Sequence, residues 1–169
     1  MAVTLKSCAV LVDVRSVVKD GMDLSSPEDA LTLLKNFAFT NGSAAAQAHE
    51  HWHDERTLTL GANEELNLQA LTNGPFGRTV AFTDIRAILF VAVDATGNFE
   101  LGGAAANAWE AWVKAAGDIR LVKKGGVDLW VAPTDGDGAV SGTVKQLKIL
   151  NADGANSQKY RIWILGTTS

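Results

Sequence analysis

Short apolar runs alternate with turn residues throughout the last third of the chain. Four runs show period-two alternation of apolar and polar side chains, at residues 119–122, 127–131, 147–150 and 160–165. The breaks between these runs are rich in Gly, Asn and Asp, which favour tight turns. In the last run Arg161 points away from Tyr160 and Ile162, as expected for a strand with one wet face and one buried face. The pattern predicts stacked antiparallel β-strands of a β-sandwich.

The β pattern extends upstream as well. Residues 9–18 are dense in Val and predict a strand. The most apolar stretch, residues 80–93, predicts a strand, a bend near Asp84 and a further strand that is central to the core. Strands are therefore expected over nearly the whole chain.

Two segments interrupt the β pattern. Residues 25–29 have the order of a helix start, with a hydroxyl at the cap, Pro at the first position and acids in the first turn. Residues 30–39 fit either a helix or a strand, and we predict one turn of helix followed by a strand. Within residues 104–116, Trp109 and Trp112 fall at helical spacing, which predicts a short helix or a wide loop.

Together these elements predict an all-β fold. We expect an antiparallel β-sandwich, jelly-roll-like, of about nine to eleven strands with one or two short helical insertions. At 169 residues the chain suits a single domain that spans residues 1–169. Residues 1–20 are expected to form a strand or arm that is available for oligomer contacts.

Charge and composition narrow the classes of function. The net charge is −4 and the basic residues are scattered, which argues against nucleic-acid binding. No apolar run approaches the length that spans a membrane, so no membrane partner is expected. Cys8 is the only cysteine, so it forms no internal disulfide and is interpreted as a small core residue.

All three histidines lie at alternate positions, as His49, His51 and His53. On a strand they share one face, whereas on a helix only His49 and His53 do, at the spacing of paired zinc ligands. The alternative is a polar strand or loop on the surface. A metal site at these three residues is therefore a hypothesis, and a three-fold assembly would strengthen it by bringing one His from each chain to an axis.

Other chemical motifs are absent or incomplete. The segment at residues 135–138 reads Asp-Gly-Asp-Gly, but Gln146 stands where a calcium loop needs a bidentate carboxylate, so a tight turn is predicted. No phosphate-binding glycine loop and no nucleophile elbow occurs. Glu64 and Glu65 are adjacent in an apparent turn, where their side chains diverge. We expect neither an enzyme nor a cofactor.

Six segments, taken in order, resemble a group of small structural proteins encoded by tailed bacteriophages. They are DERTL (54–58), ELNL (65–68), GRTVAFTDIRAI (77–88), GGVDLWVAP (125–133), LKILN (147–151) and YRIWILG (160–166). The resemblance covers about two thirds of the chain and its motifs are strands and turns, so it transfers no functional residue. It implies a β-sandwich virion component, such as a capsid decoration or cement protein or a head–tail accessory protein, often with three-fold assembly.

The resemblance implies partners and a location. The expected partners are further copies of the chain, with a trimer favoured, and the major capsid protein or other virion proteins. The expected location is the virion, after synthesis in the cytoplasm of the bacterial host.

Tryptophan is favoured at buried interface centres, so we predict Trp52, Trp109 and Trp112 as interface residues. Any strand exchange is expected in weakly charged strands such as residues 9–14, because charged edges discourage pairing. The alternative function is a carbohydrate-binding β-sandwich module, in which Trp109, Trp112 or Trp130 forms a sugar platform. An indole face that is open in the isolated protein would favour that alternative.

Overall fold

A computed structural model describes residues 5, 7–19, 28–73, 77–134 and 136–168. Within these ranges the chain forms twelve β-strands and no helix. In order, the strands are β1 Cys8–Lys19, β2 Glu28–Phe39, β3 Glu50–Leu58, β4 Asn63–Asn67, β5 Leu71–Asn73, β6 Arg78–Val80, β7 Phe82–Ala92, β8 Phe99–Gly102, β9 Ile119–Val122, β10 Val127–Val131, β11 Gln146–Asn151 and β12 Gln158–Thr168. The all-β prediction is confirmed, with no helix in the described ranges long and apolar enough to cross a membrane.

Two four-stranded antiparallel sheets form the body of the protein. The front sheet has the order β10-β7-β12-β3 and the back sheet has the order β4-β11-β8-β9. Strands β5 and β6 form a small separate hairpin. Both large sheets contribute side chains to one hydrophobic cluster, for example Ile88 and Ile164 from the front sheet and Leu101 and Ile149 from the back sheet. Apolar alternation along the strands therefore buries one shared core.

An aromatic group lies at the centre of this core. Phe90 and Tyr160 of the front sheet stack with ring centroids 5.1 Å apart, and Phe99 of the back sheet meets both rings edge-on at 5.3 and 5.7 Å. All three side chains are fully buried. Offset and edge-on contacts of this kind are the favourable geometries for aromatic pairs, so the two sheets are joined here by specific packing.

Strands β1 and β2 form a separate two-stranded hairpin, which we call the arm. Its register runs from the pair Cys8 and Phe39 to the pair Lys19 and Glu28 without interruption. Twelve residues in each strand, at about 3.3 Å per residue, give the arm a length of roughly 40 Å. The predicted strand at residues 9–18 is thus confirmed as β1.

Both predicted helical insertions are corrected. The proposed helix cap at residues 25–27 lies outside the described residues, and the chain from Glu28 onward is the strand β2. Residues 104–116 form turns and bends, in which the carbonyl of Asn107 accepts hydrogen bonds from Lys145 and Gln146. Asn107 itself has a φ of 54°. These bonds to a distant segment replace the local bonds that a helix needs.

Candidate assembly interface

The arm exposes large apolar side chains that the rest of the described chain leaves uncovered. Seven Leu and Val residues of the arm are between 48% and 66% exposed: Leu11, Val14, Val17, Val18, Leu31, Leu33 and Leu34. Single exposed apolar residues are ordinary, but a contiguous set marks an interaction surface. Because an isolated two-stranded hairpin is only marginally stable in water, these residues also point to a partner.

Strand alternation sorts these side chains onto two faces. The register pairs Val14 with Leu33 on the same face as the pairs Val10–Phe37 and Cys8–Phe39. We call the face that carries these three pairs the inner face of the arm. The opposite face carries more polar groups, such as Thr32 opposite Arg15. The inner face is therefore mostly apolar, with Lys35, Ser16 and Asp29 as its polar positions, and the opposite face also carries Leu11, Val17 and Leu34.

The base of the arm packs on the outer surface of the front sheet. Phe39 is buried together with Ala87 of β7 and Leu165 of β12, and Cys8 and Phe37 pack against this cluster. Burial raises the pKa of the Cys8 thiol, which keeps it protonated and suits it to apolar packing. The body thus covers the inner face at its base and leaves its distal half bare.

Beside the base, the outer surface of the front sheet remains open as an apolar groove. Register places Leu129, Leu89, Trp163 and His53 side by side across the four strands. Two cavities of about 320 and 340 Å³ lie along this row and share Leu89 and Trp163. We call this row and its two cavities the front-sheet groove. The first cavity is bounded on one side by Val10 and its neighbours in β1.

Charged side chains line the far end of this groove. Glu55 of β3 accepts a hydrogen bond from Arg161 of β12 at 2.6 Å and forms an ion pair with Lys159 at 3.1 Å. Hydrogen bonds from Arg161 and Lys159 lower the pKa of Glu55. The carboxylate therefore stays ionised, and a polar rim borders the apolar row, as is usual at interfaces.

A buried arginine ties the root of the arm to the body. Arg86 lies on β7 and is fully buried. Its guanidinium donates to the carbonyls of Ser43 and Gln47, in the loop after β2, at 3.1 Å each. It also donates to the carbonyl of Thr134 at 2.6 Å and forms an ion pair with Asp84 at 2.9 Å. The sequence pattern predicts a strand after the bend near Asp84 but assigns no role to Arg86.

Both oxygens of the carboxylate in this ion pair also accept backbone hydrogen bonds, Oδ2 from Gly136 and Oδ1 from Gly138. Asp84 accepts backbone hydrogen bonds from Gly136 at 2.7 Å and from Gly138 at 3.1 Å. The glycine-rich segment around residues 136–138 therefore wraps around a protein carboxylate. The interpretation of this segment as a tight turn agrees with that geometry.

The three histidines are not brought together. His49 accepts a hydrogen bond from the backbone N–H of Thr168 at 3.0 Å through Nε2, and its Nδ1 lies 3.2 Å from the carbonyl of Gly42. This geometry fits the tautomer with the proton on Nδ1 and occupies both ring nitrogens. His51 and His53 stack with ring centroids 5.8 Å apart on the outer surface of β3.

No metal site follows from this arrangement. Within the described ranges, no group of three His, Cys, Asp or Glu side chains is placed to hold a metal ion. A ligand set of His49, His51 and His53 in one chain is therefore not supported, because His49 turns to the carboxyl end of β12 and away from the other two. His53 instead lines the front-sheet groove.

The three tryptophans predicted as interface residues lie in the core. Trp52 and Trp109 are 1% exposed and Trp112 is 4% exposed. The indole N–H of Trp52 donates to the carbonyl of Thr72 at 2.9 Å. Trp109 and Trp112 pack edge-on with centroids 6.5 Å apart. Their size fills the shared core, so the free chain does not present them to a partner, and the prediction of these three as interface anchors is corrected.

The sugar platform of the alternative function meets the same difficulty. Trp109 and Trp112 offer no open indole face. Trp130 is partly buried and meets Trp109 edge-on, with ring centroids 5.4 Å apart. The fifth indole, that of Trp163, is also partly buried and lines the front-sheet groove, and the sequence pattern does not predict it as a contact residue.

No protein-family model and no curated protein matches this chain. The function is therefore argued from the arm, the groove and the chemistry of their side chains.

Titratable groups with shifted pKa values make structural contacts. Burial, together with a hydrogen bond to Glu64 at 2.6 Å, raises the pKa of Tyr160 above its ordinary value. Glu64 lies in β4 and not in the predicted turn, and it also pairs with Arg56 of β3. This network joins the front sheet to the edge of the back sheet. Likewise, Arg120 of β9 donates two hydrogen bonds to the carboxylate of Asp128 in β10 and so joins the two sheets.

Proposed function

We propose that the chain is a non-enzymatic structural protein of a tailed-phage virion, and specifically a capsid decoration or cement protein. In this role it forms oligomers, with a trimer favoured, and binds the capsid surface. The proposal includes a jelly-roll-like β-sandwich as the arrangement of the two large sheets. The observation that carries it is the arm, a 12-residue antiparallel pair that displays seven exposed Leu and Val side chains.

The energetics of the arm favour assembly over an isolated chain. Complete burial of a Leu or Val side chain contributes about 1.5–3 kcal/mol, so covering the exposed half of the four that share the inner face, Val14, Val18, Leu31 and Leu33, contributes about 3–6 kcal/mol at most. Association costs about 4–15 kcal/mol in lost freedom of motion. A single arm contact is thus near break-even. A closed ring of n copies forms n such contacts while only n − 1 copies lose their freedom of motion, so ring closure adds a contact without a further association cost.

The rest of the molecule suits a rigid building block. Buried ion pairs and hydrogen bonds, such as those of Arg86 and Tyr160, fix the arm root and join the two sheets. The shifted pKa of Tyr160 is accounted for by such contacts, whereas a catalytic role would call for a shifted group aimed into a cleft. These features support a scaffold that presents surfaces.

The first test is assembly of the full chain. Light scattering after size exclusion is expected to give a mass that is a small multiple of 17.9 kDa, three-fold for the favoured trimer. Addition of a chelator tests the histidine hypothesis separately: a fall of the mass would show that histidines of different copies share a metal ion, and an unchanged mass would show that assembly needs no metal. A monomer at all concentrations would refute the assembly part of the proposal.

The second test is binding to phage heads. Heads should be prepared from the tailed phage whose genome carries the gene, after deletion of that gene. The added protein is expected to sediment with these heads and to saturate at a fixed ratio to the major capsid protein. Wild-type heads, whose sites are already filled, serve as the control. An oligomer that stays in the supernatant with both preparations would refute the decoration role and leave self-assembly standing.

A further inference from the structure

One chain carries two apolar surfaces that the described residues leave partly open. The first is the distal half of the inner face of the arm, with Val14, Leu31 and Leu33. The second is the front-sheet groove, with Leu89 and Trp163 at its centre. Each copy therefore has one apolar surface to give and one to receive.

The base of the arm shows how these two surfaces fit. There, Phe37 and Phe39 of the inner face already pack on Ala87 and Leu165 of the outer surface of the front sheet. Leu89 and Trp163 continue the strands β7 and β12 from that contact by two residues each, on the same surface. Apolar side chains therefore continue both along the arm and along the front sheet from a contact that the fold already makes.

We propose that the distal inner face of the arm of one copy lies in the front-sheet groove of a second copy. The proposal rests on the self-assembly part of the proposed function and names the surfaces that perform it. The groove matches the arm in apolar character and adjoins the contact at the base of the arm. His53, Glu55 and Arg161 then border the docked arm as its polar rim.

The charge of the arm is compatible with a second copy as occupant. Three acids, Asp13, Glu28 and Asp29, are balanced by three bases, Arg15, Lys19 and Lys35, so the strands of the arm carry no net charge. The whole chain has a net charge of −4, all of which therefore resides outside these two strands. A neutral arm approaches an acidic body without the repulsion that two acidic surfaces would suffer.

Charge substitutions with matched controls test both surfaces. Leu33→Lys places an ammonium group on the inner face of the arm, and Thr32→Lys places the same group on the opposite face one residue away. Leu89→Lys changes the groove, and Leu121→Lys changes an exposed leucine of the back sheet. We expect Leu33→Lys and Leu89→Lys each to weaken self-association by at least about 30-fold, and both controls to assemble normally.

Mixing the two defective variants separates a lost contact from a lost fold. Leu33→Lys retains an intact groove and Leu89→Lys retains an intact arm, so one good contact forms when they meet. Each variant alone is expected to run as a monomer. Because one arm contact is near break-even, an equimolar mixture is expected to show a concentration-dependent rise of the average mass toward twice the mass of one chain, measured by sedimentation at high protein concentration. A misfolded Leu89→Lys protein would not rescue its partner.

The outcomes distinguish this inference from the proposed function. If Leu33→Lys dissociates the oligomer but Leu89→Lys does not, or if the mixture stays monomeric although both variants keep the circular dichroism spectrum and urea midpoint of the wild-type monomer, the arm docks elsewhere and the inference is overturned while self-assembly stands. A wild-type monomer that binds phage heads through the arm would assign the arm to the capsid protein and would also overturn it. A monomer that binds no heads would remove both proposals.

Discussion

Replacement of Arg86 by Met tests whether the arm root is held by the buried guanidinium. The side chain is fully buried and its charge is balanced by Asp84 at 2.9 Å. Three of its N–H groups also meet the carbonyls of Ser43, Gln47 and Thr134. Met has a similar length but no donor, so Arg86→Met leaves these three carbonyls without the guanidinium and removes the cation that balances the carboxylate.

The size of the effect follows from these contacts. Removal of one partner of a buried ion pair destabilises a protein by about 3–5 kcal/mol. Each lost hydrogen bond to a charged donor is worth about 1.5–3 kcal/mol, but bonds that share one guanidinium are not additive. We therefore expect the free energy of unfolding to fall by about 4 kcal/mol, a large share of the roughly 5–15 kcal/mol that stabilises a typical domain.

Urea unfolding followed by tryptophan fluorescence measures this loss. With a slope near 2 kcal/mol per molar urea, the midpoint is expected to fall by about 2 M. Protein concentration must be held fixed, because self-association adds to apparent stability. The matched control is Arg15→Met, since the Arg15 side chain is 73% exposed and pairs with Asp13 on its own strand. If Arg86→Met and Arg15→Met unfold within about 1 kcal/mol of each other, the anchoring role of Arg86 is wrong.

Three further measurements address the body. Because burial raises the pKa of Tyr160, the single tyrosine of the chain, its absorbance change at alkaline pH is expected above the ordinary tyrosine range. The associated stability is complete below about pH 10 and is lost as the pH rises further, and titration at the ordinary value in the folded protein would contradict this. Hydrogen bonds from Asn156 and the backbone of Ala155 lower the pKa of Asp153, so Asp153→Asn is expected to lower the thermal midpoint at neutral pH, with a difference that disappears in acid; an equal difference at both pH values would count against it. Gly138→Ala would place a Cβ 1.9 Å from the carbonyl oxygen of Ile85 and is expected to cost about 1–3 kcal/mol in urea unfolding, whereas Gly154→Ala, with open space around it, is expected to be neutral.

Period-two alternation was sufficient to predict most of the body. In β12, Tyr160, Ile162 and Ile164 are buried and Arg161 is exposed, as the pattern required. Alternation is informative there because one face of the strand meets the core and the other meets water. The fold class was predictable for this reason.

The arm was harder to predict because apolar residues occupy both of its faces. Leu31 and Leu34 fall at helical spacing, yet they lie on opposite faces of the strand β2. Without a wet face and a dry face, alternation cannot separate a strand from a helix. The pairing of β1 with β2, and hence the arm itself, could not be read from either segment alone.

The candidate site depended on contacts between distant segments. Arg86 stands between Ile85 and Ala87 in the most apolar stretch of the chain, and a lone cation in such a stretch is a signal of a buried charge that needs partners. Its partners come from loops more than 35 residues away. The helical spacing of Trp109 and Trp112 was also misleading, because both residues lie in a loop whose turns and bends place their side chains in the core.

Because the register of the arm is uninterrupted, its side chains keep their facing only when an even number of residues is inserted into each strand. Insertion of two residues into each strand would extend the reach by about 7 Å and keep Val14 and Leu33 facing the same way as Phe39. Insertion of one residue into each strand nearer the base would turn that pair to the opposite side. Reach therefore changes in even steps while the core stays untouched. Under the proposed assembly, one body with a series of arms then fits different spacings between neighbouring copies.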